Sequence, residues 1–138
     1  MTNLDYNKNE KSPFPRVGYR MGIAALLALL IGIMSVISGS LVLLNYKIPD
    51  YFVLNWLVIY NVILGGLSIV VSILIWKNTK SARILMPVIL ILHLLVLVYL
   101  YFFSQEVASE SIKAMGFRVS IWTLVLLLTH KKLNKHLN

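Results

Sequence analysis

The chain has no cysteine, which excludes disulfides, thiolate nucleophiles and cysteine metal sites together. Acidic residues are almost as scarce: five Asp and Glu in 138 residues, against thirteen Lys and Arg. Their placement matters more than their number. Asp5 and Glu10 precede the first apolar run, Asp50 lies between the first and second, and Glu106 and Glu110 lie between the third and fourth. Acid–base or metal-assisted chemistry needs convergent carboxylates or clustered histidines. Two glutamates in one short connection do not make such a site. No catalytic residue and no metal site is assigned, and the chain reads as non-enzymatic.

Charge of any kind is limited to 13% of residues, while 59% are hydrophobic and the mean hydropathy is +0.81. Soluble domains carry roughly a quarter charged residues. Uncharged runs of 26, 26 and 22 residues separate Arg20 from Lys47, Asp50 from Lys77 and Arg83 from Glu106. About 20 predominantly apolar residues cross a ~30 Å hydrocarbon core as a helix, so three spans follow from length alone. A fourth must begin near 109–112 and draw Arg118 into the membrane, because Val119 to Thr129 covers only about half the core. The alternative is a half-span at the interface.

The fold expected is all-α: a polytopic membrane protein, an antiparallel four-transmembrane-helix bundle with both termini inside. Its parts are a flexible N-terminal tail over 1–16, spans at about 17–44, 51–76, 82–103 and 110–129 within a domain of 17–130, and a basic tail over 131–138. The first run is longer than the apolar core of a signal peptide, so it reads as a span rather than a cleaved leader.

A sequence pI near 9.9 invites a nucleic-acid reading, but the basic residues sit where topology signals sit. One side of the expected bundle carries Lys8, Lys11, Arg16, Arg20, Lys77, Lys80, Arg83, Lys131, Lys132 and Lys135, and the other only Lys47 and Lys113. Positive charge in short loops marks the cytoplasmic face. The expected location is therefore the cytoplasmic membrane of a bacterium, with anionic lipids rather than nucleic acid against the basic side.

Helices in lipid gain nothing from apolar burial against one another, so close backbone approach and hydrogen bonds must join them. Helix 1 offers Ala25, Ala28, Gly32, Ser35 and Gly39, and helix 2 offers Asn61, Gly65, Ser68 and Ser72, both at heptad spacing. These stripes read as a packing seam with Ser and Asn as interhelical glue. The functional alternative is a polar pathway lined by Asn61 and the serines.

Two ionisable groups fall inside the runs, and helix rise puts both at a similar depth: His93 roughly 15 Å and Arg118 roughly 18 Å from the basic side. Arg118 either extends outward toward Glu106, Asp50 or lipid phosphate, or turns inward to hold an anionic or carbonyl-bearing group. Trp122, one turn on, is placed for a cation–π contact. His93 reads as a neutral imidazole hydrogen-bonded to a neighbouring helix, with haem or quinone contact as alternatives that no motif supports; no cofactor is assigned. The roles left open are an accessory or structural subunit of a membrane complex, a small homo-oligomeric transporter or channel, and a redox subunit using His93 and Arg118. Homo- or hetero-oligomerisation is expected in each.

Overall fold

The computed structural model describes residues 18–46, 54–103 and 109–133, for 131–133 the backbone alone. These residues form α1 (Tyr19–Leu43), α2 (Asn55–Trp76), α3 (Lys80–Phe103) and α4 (Ser109–Leu133), with no strand among them. The shortest, α2, has 22 residues and at about 1.5 Å each spans ~33 Å. All four are long and apolar enough to cross a membrane, α4 being the least apolar. The chain is a small integral membrane protein with four candidate spans.

Several boundaries differ from the expectation. Leu54 is the extended N-cap of α2, so the helix starts after Pro49 and Tyr51 rather than at 51. Helix α3 begins at Lys80 instead of 82, because the Thr79 hydroxyl accepts a bond from the Ala82 N–H at 3.4 Å and caps the first turn. Pro87 consequently lies inside α3, past the first turn where a missing N–H is free of cost, and removes one helical hydrogen bond. Helix α4 extends to Leu133, past the expected domain edge at 130. The tail expected over 1–16 and the turns around 47–53 and 104–108 lie outside the described residues.

Helices α1 and α2 end alike. Asn45 and Asn78 take φ of 57° and 51°, the left-handed region that Asn tolerates better than other side-chain-bearing residues. Paired backbone bonds close each end, from Tyr46 N–H to the Leu41 carbonyl and from Thr79 N–H to that of Leu74. This is the Schellman stop.

Each helix packs on two others in the cyclic order α1–α2–α3–α4, and the diagonal pairs do not meet among the described residues. Contacts descend one helix as they climb its neighbour. Gly32 faces Gly65 and Ile69, whereas Gly39 faces Val58 and Val62. Trp56 meets Tyr99 edge-on at 5.9 Å and Tyr60 meets His93. Met86 receives the Thr129 hydroxyl while Leu100 packs with Met115. Neighbouring helices are therefore antiparallel.

The tightest junction is α1 against α2. A Cβ on Gly32 would lie 2.7 Å from the Ile69 side chain and 2.8 Å from the Gly65 carbonyl, and one on Gly65 would lie 2.8 Å from Ser35 Cβ. Ala28, Gly32, Ser35, Gly39, Gly65, Ser68 and Ser72 are all buried. The two α2 serines do not act as interhelical glue, however. Ser68 and Ser72 return their hydroxyls to their own helix, to the Leu64 and Ile69 carbonyls at 2.7 and 2.8 Å. Their contribution to the seam is smallness, and the hydroxyl is satisfied locally.

Gly32→Ala should push α1 and α2 apart and lower the melting temperature in detergent, for a loss of about 1–3 kcal/mol. Gly66→Ala, where an added Cβ meets nothing within 4 Å, should melt like the parent. Circular dichroism melts of the purified variants check the contrast.

Candidate functional site: a polar layer between two apolar cores

The interior divides in two. One apolar cluster holds Met21, Ala28, Val71, Ile75, Met86, Ile89, Trp122 and Val125, toward the α2–α3 turn. The other holds Leu57, Leu100 and Met115, toward the opposite end. Polar side chains from all four helices lie between them: Ser35 of α1, Tyr60 of α2, His93 of α3 and Arg118 of α4.

Helical periodicity puts them there. The buried positions of α4 are Met115, Trp122, Val125 and Thr129, spaced seven, three and four, and Arg118 fills the gap three residues after Met115. In α3 the buried positions Ala82, Met86, Ile89, His93 and Leu100 follow the same heptad. Both ionisable residues thus sit on the faces that meet the other helices.

Among the described residues Arg118 pairs with no carboxylate, and Asp50 and Glu106 lie outside them. Its Nε donates to Ser35 Oγ at 3.2 Å across the α1–α4 junction. Glu110, the one carboxylate among the described residues, is exposed at the start of α4 beside Ser109. Trp122 is not placed for a cation–π contact either; it packs into the first apolar cluster and is fully buried. Arg118 lies close enough to Tyr60 and His93 for its charge to act on both.

The other half of the layer is the pair Tyr60 and His93. The Tyr60 hydroxyl and His93 Nδ1 are 3.0 Å apart, with the rings edge-on at 5.9 Å. When the phenol donates, the imidazole proton resides on Nε2 and the ring is neutral. The expected pairing of His93 with a neighbouring helix is thereby given a partner. Tyr60 was not singled out by sequence reasoning. Its signal is depth: it lies nine residues beyond Tyr51 in an uncharged run, away from the boundary rings.

Asn61 follows Tyr60 and lies one turn before Gly65, opposite α1. Its Oδ1 is buried without a hydrogen-bond partner, and so is Trp122 Nε1. Asn61 therefore supplies no glue through that oxygen. Leaving a buried polar atom unpaired costs about 1–3 kcal/mol.

One serine cannot neutralise a guanidinium. An arginine at membrane depth costs at least ~2.5 kcal/mol, and a hydrogen bond to a charged group returns about 1.5–3 kcal/mol while leaving the charge uncompensated. Around this level the guanidinium N–H groups of Arg118 and the unpaired Trp122 Nε1–H stand beside one unpaired acceptor, Asn61 Oδ1. No cluster of three metal-ligating residues occurs among the described residues. The other described histidine, His130, is exposed near the far end of α4, about twelve residues and ~18 Å along the helix from Arg118.

Family models, curated proteins and solved structures were all compared. None matches the chain. The fold and the polar layer are thus the whole basis for a functional reading.

Tyr60→Phe should destabilise the bundle by about 1–3 kcal/mol, because it strands the buried His93 Nδ1. The double change Tyr60→Phe with His93→Leu should lose less than the two single changes added together. A double-mutant cycle of thermal melts in one detergent measures that coupling.

Proposed function

We propose that this chain is a non-catalytic accessory or structural component of a membrane assembly, multi-pass, with both termini cytoplasmic. The observation that supports the role most is the division of labour on α3. Its inward heptad runs from Ala82 through the His93 layer to Leu100, while Ile84, Val88, Ile91, Leu95, Val98 and Phe102 form a second, outward heptad of exposed large side chains. A bundle braced internally by one polar side chain per helix can present that outward stripe as a rigid face. Knobs at this spacing fit the holes of another helix, so a partner subunit or a second copy is the occupant the reading expects.

A transporter or channel built as a homo-oligomer is the second reading, favoured by Arg118 lying on the interior face of its helix. A quinone- or haem-linked subunit would depend on His93 and Arg118. Haem held by two imidazoles draws less support, since Tyr60 already occupies Nδ1 and His130 lies at another level.

Orientation rests on the basic side: Arg20, Lys77, Lys80 and Arg83 gather at the end where α2 turns into α3. Because the parent has no cysteine, single cysteines report it directly. Lys80→Cys should react with an impermeant maleimide only after cells are permeabilised, and Tyr46→Cys in intact cells. The reverse pattern would invert the topology.

Purification in mild detergent tests the role. A stoichiometric hetero-complex is the expected outcome, and a self-contained oligomer would favour transport. Arg118→Leu should still insert, since the change removes charge from lipid, but should lose assembly. Full assembly of that variant would remove the polar layer from the functional account.

A further inference from the structure

The polar layer holds a positive charge that the described residues do not balance, and its hydrogen-bond inventory is lopsided. Arg118 makes one hydrogen bond among them, through Nε to Ser35. That geometry leaves the two terminal nitrogens, with four N–H groups between them, as the reading end of the guanidinium. Arg118 is itself only partly buried.

Trp122 adds an independent sign. It is 0% exposed, yet its Nε1–H has no partner. It stands one turn after Arg118 on the same interior face, and helical side chains lean toward the N-terminal end of their helix, here toward Arg118. On α3, His93 Nδ1 lies 3.0 Å from the hydroxyl of Tyr60 on α2, and when the phenol donates the imidazole proton resides on Nε2. Arg118 thus has one hydrogen-bond partner among the described residues, and a second donor without a partner, Trp122 Nε1–H, belongs to the next turn of the same helix.

We infer that the Arg118 layer binds the monoanionic head group of an amphiphile, a carboxylate or a phosphate, whose apolar tail remains in the lipid. A charge and not merely a carbonyl is required. A neutral acceptor would satisfy N–H groups but leave the guanidinium uncompensated, and the charge is what makes this position unfavourable in hydrocarbon. The planar fork of arginine pairs two parallel N–H groups with two oxygens, which carboxylate and phosphate both provide. Depth selects the rest of the molecule. Tyr60 is five residues into α2 and Arg118 nine residues into α4, about 8–14 Å from those helix ends. An anion that reaches this level must carry an apolar body. The inference does not rest on the accessory role, because it concerns a site complete within one chain.

The test uses the full chain in maltoside micelles, with Trp56→Phe and Trp76→Phe introduced so that Trp122 is the sole indole reporter. Its emission is followed during titration with three probes of equal tail length: sodium palmitate, hexadecyl phosphate and methyl palmitate. Saturable changes with either anion, at least about 30-fold tighter than with the neutral ester, are expected. Preference for palmitate assigns a fatty carboxylate as the source, and preference for hexadecyl phosphate a lipid phosphate. Equal response to the ester and both anions, or no saturable response to either anion, overturns the proposal. Arg118→Gln should lose the preference for anions while Arg118→Lys keeps part of it. If a folded Arg118→Gln, judged by an unchanged helical spectrum, binds the anions as tightly as the parent, the site is not at Arg118.

Discussion

A guanidinium in hydrocarbon is the constraint around which this bundle is organised. Arg118 cannot be deprotonated in practice, and the one carboxylate among the described residues stands apart at the start of α4. The helix that carries it must therefore offer other relief. It does so by turning Arg118 toward α1, where Ser35 accepts from Nε, and toward the Tyr60–His93 pair. Because those partners come from three different helices, the position of one charged side chain is tied to the relative placement of all four.

The rest of the architecture is compatible with that layer. The α1–α2 seam brings backbones close enough that a methyl group at Gly32 or Gly65 would collide. Close approach here carries Ser35, one turn from Gly32, deep between the helices, where it can meet Arg118. Above and below the layer the interior is apolar and closely packed. The ionisable groups of the interior, His93 and Arg118, share one level, while Ser68, Ser72 and Thr129 are buried at others.

Much of the frame was legible in the sequence. Uncharged runs of sufficient length identified three spans, and the small-residue heptads of α1 and α2 identified the seam. Arg118 and His93 were found from rarity alone, as the ionisable residues within apolar runs. Other expectations rested on chemistry that has more than one outcome. Serines in a lipid-facing bundle can bond to a neighbour or to their own preceding turn, and Ser68 and Ser72 do the latter. Trp122 stands at the spacing for a cation–π contact but is drawn into the apolar cluster, where a large ring gains more contact.

While the full length of α4 came from the tertiary structure, the sequence by itself determined three helices long and apolar enough to cross a membrane, and which faces of α1 and α2 could approach closely. Those properties depend on composition and on the 3.6-residue period, both local to each segment. Only the tertiary structure decided whom Arg118 meets. Its partner lies 83 residues away on α1, and the pairing of Tyr60 with His93 spans 33 residues between α2 and α3. Such meetings depend on the cyclic order of the helices and their axial offsets. Those are set by the whole bundle's packing and have no signature within any one span.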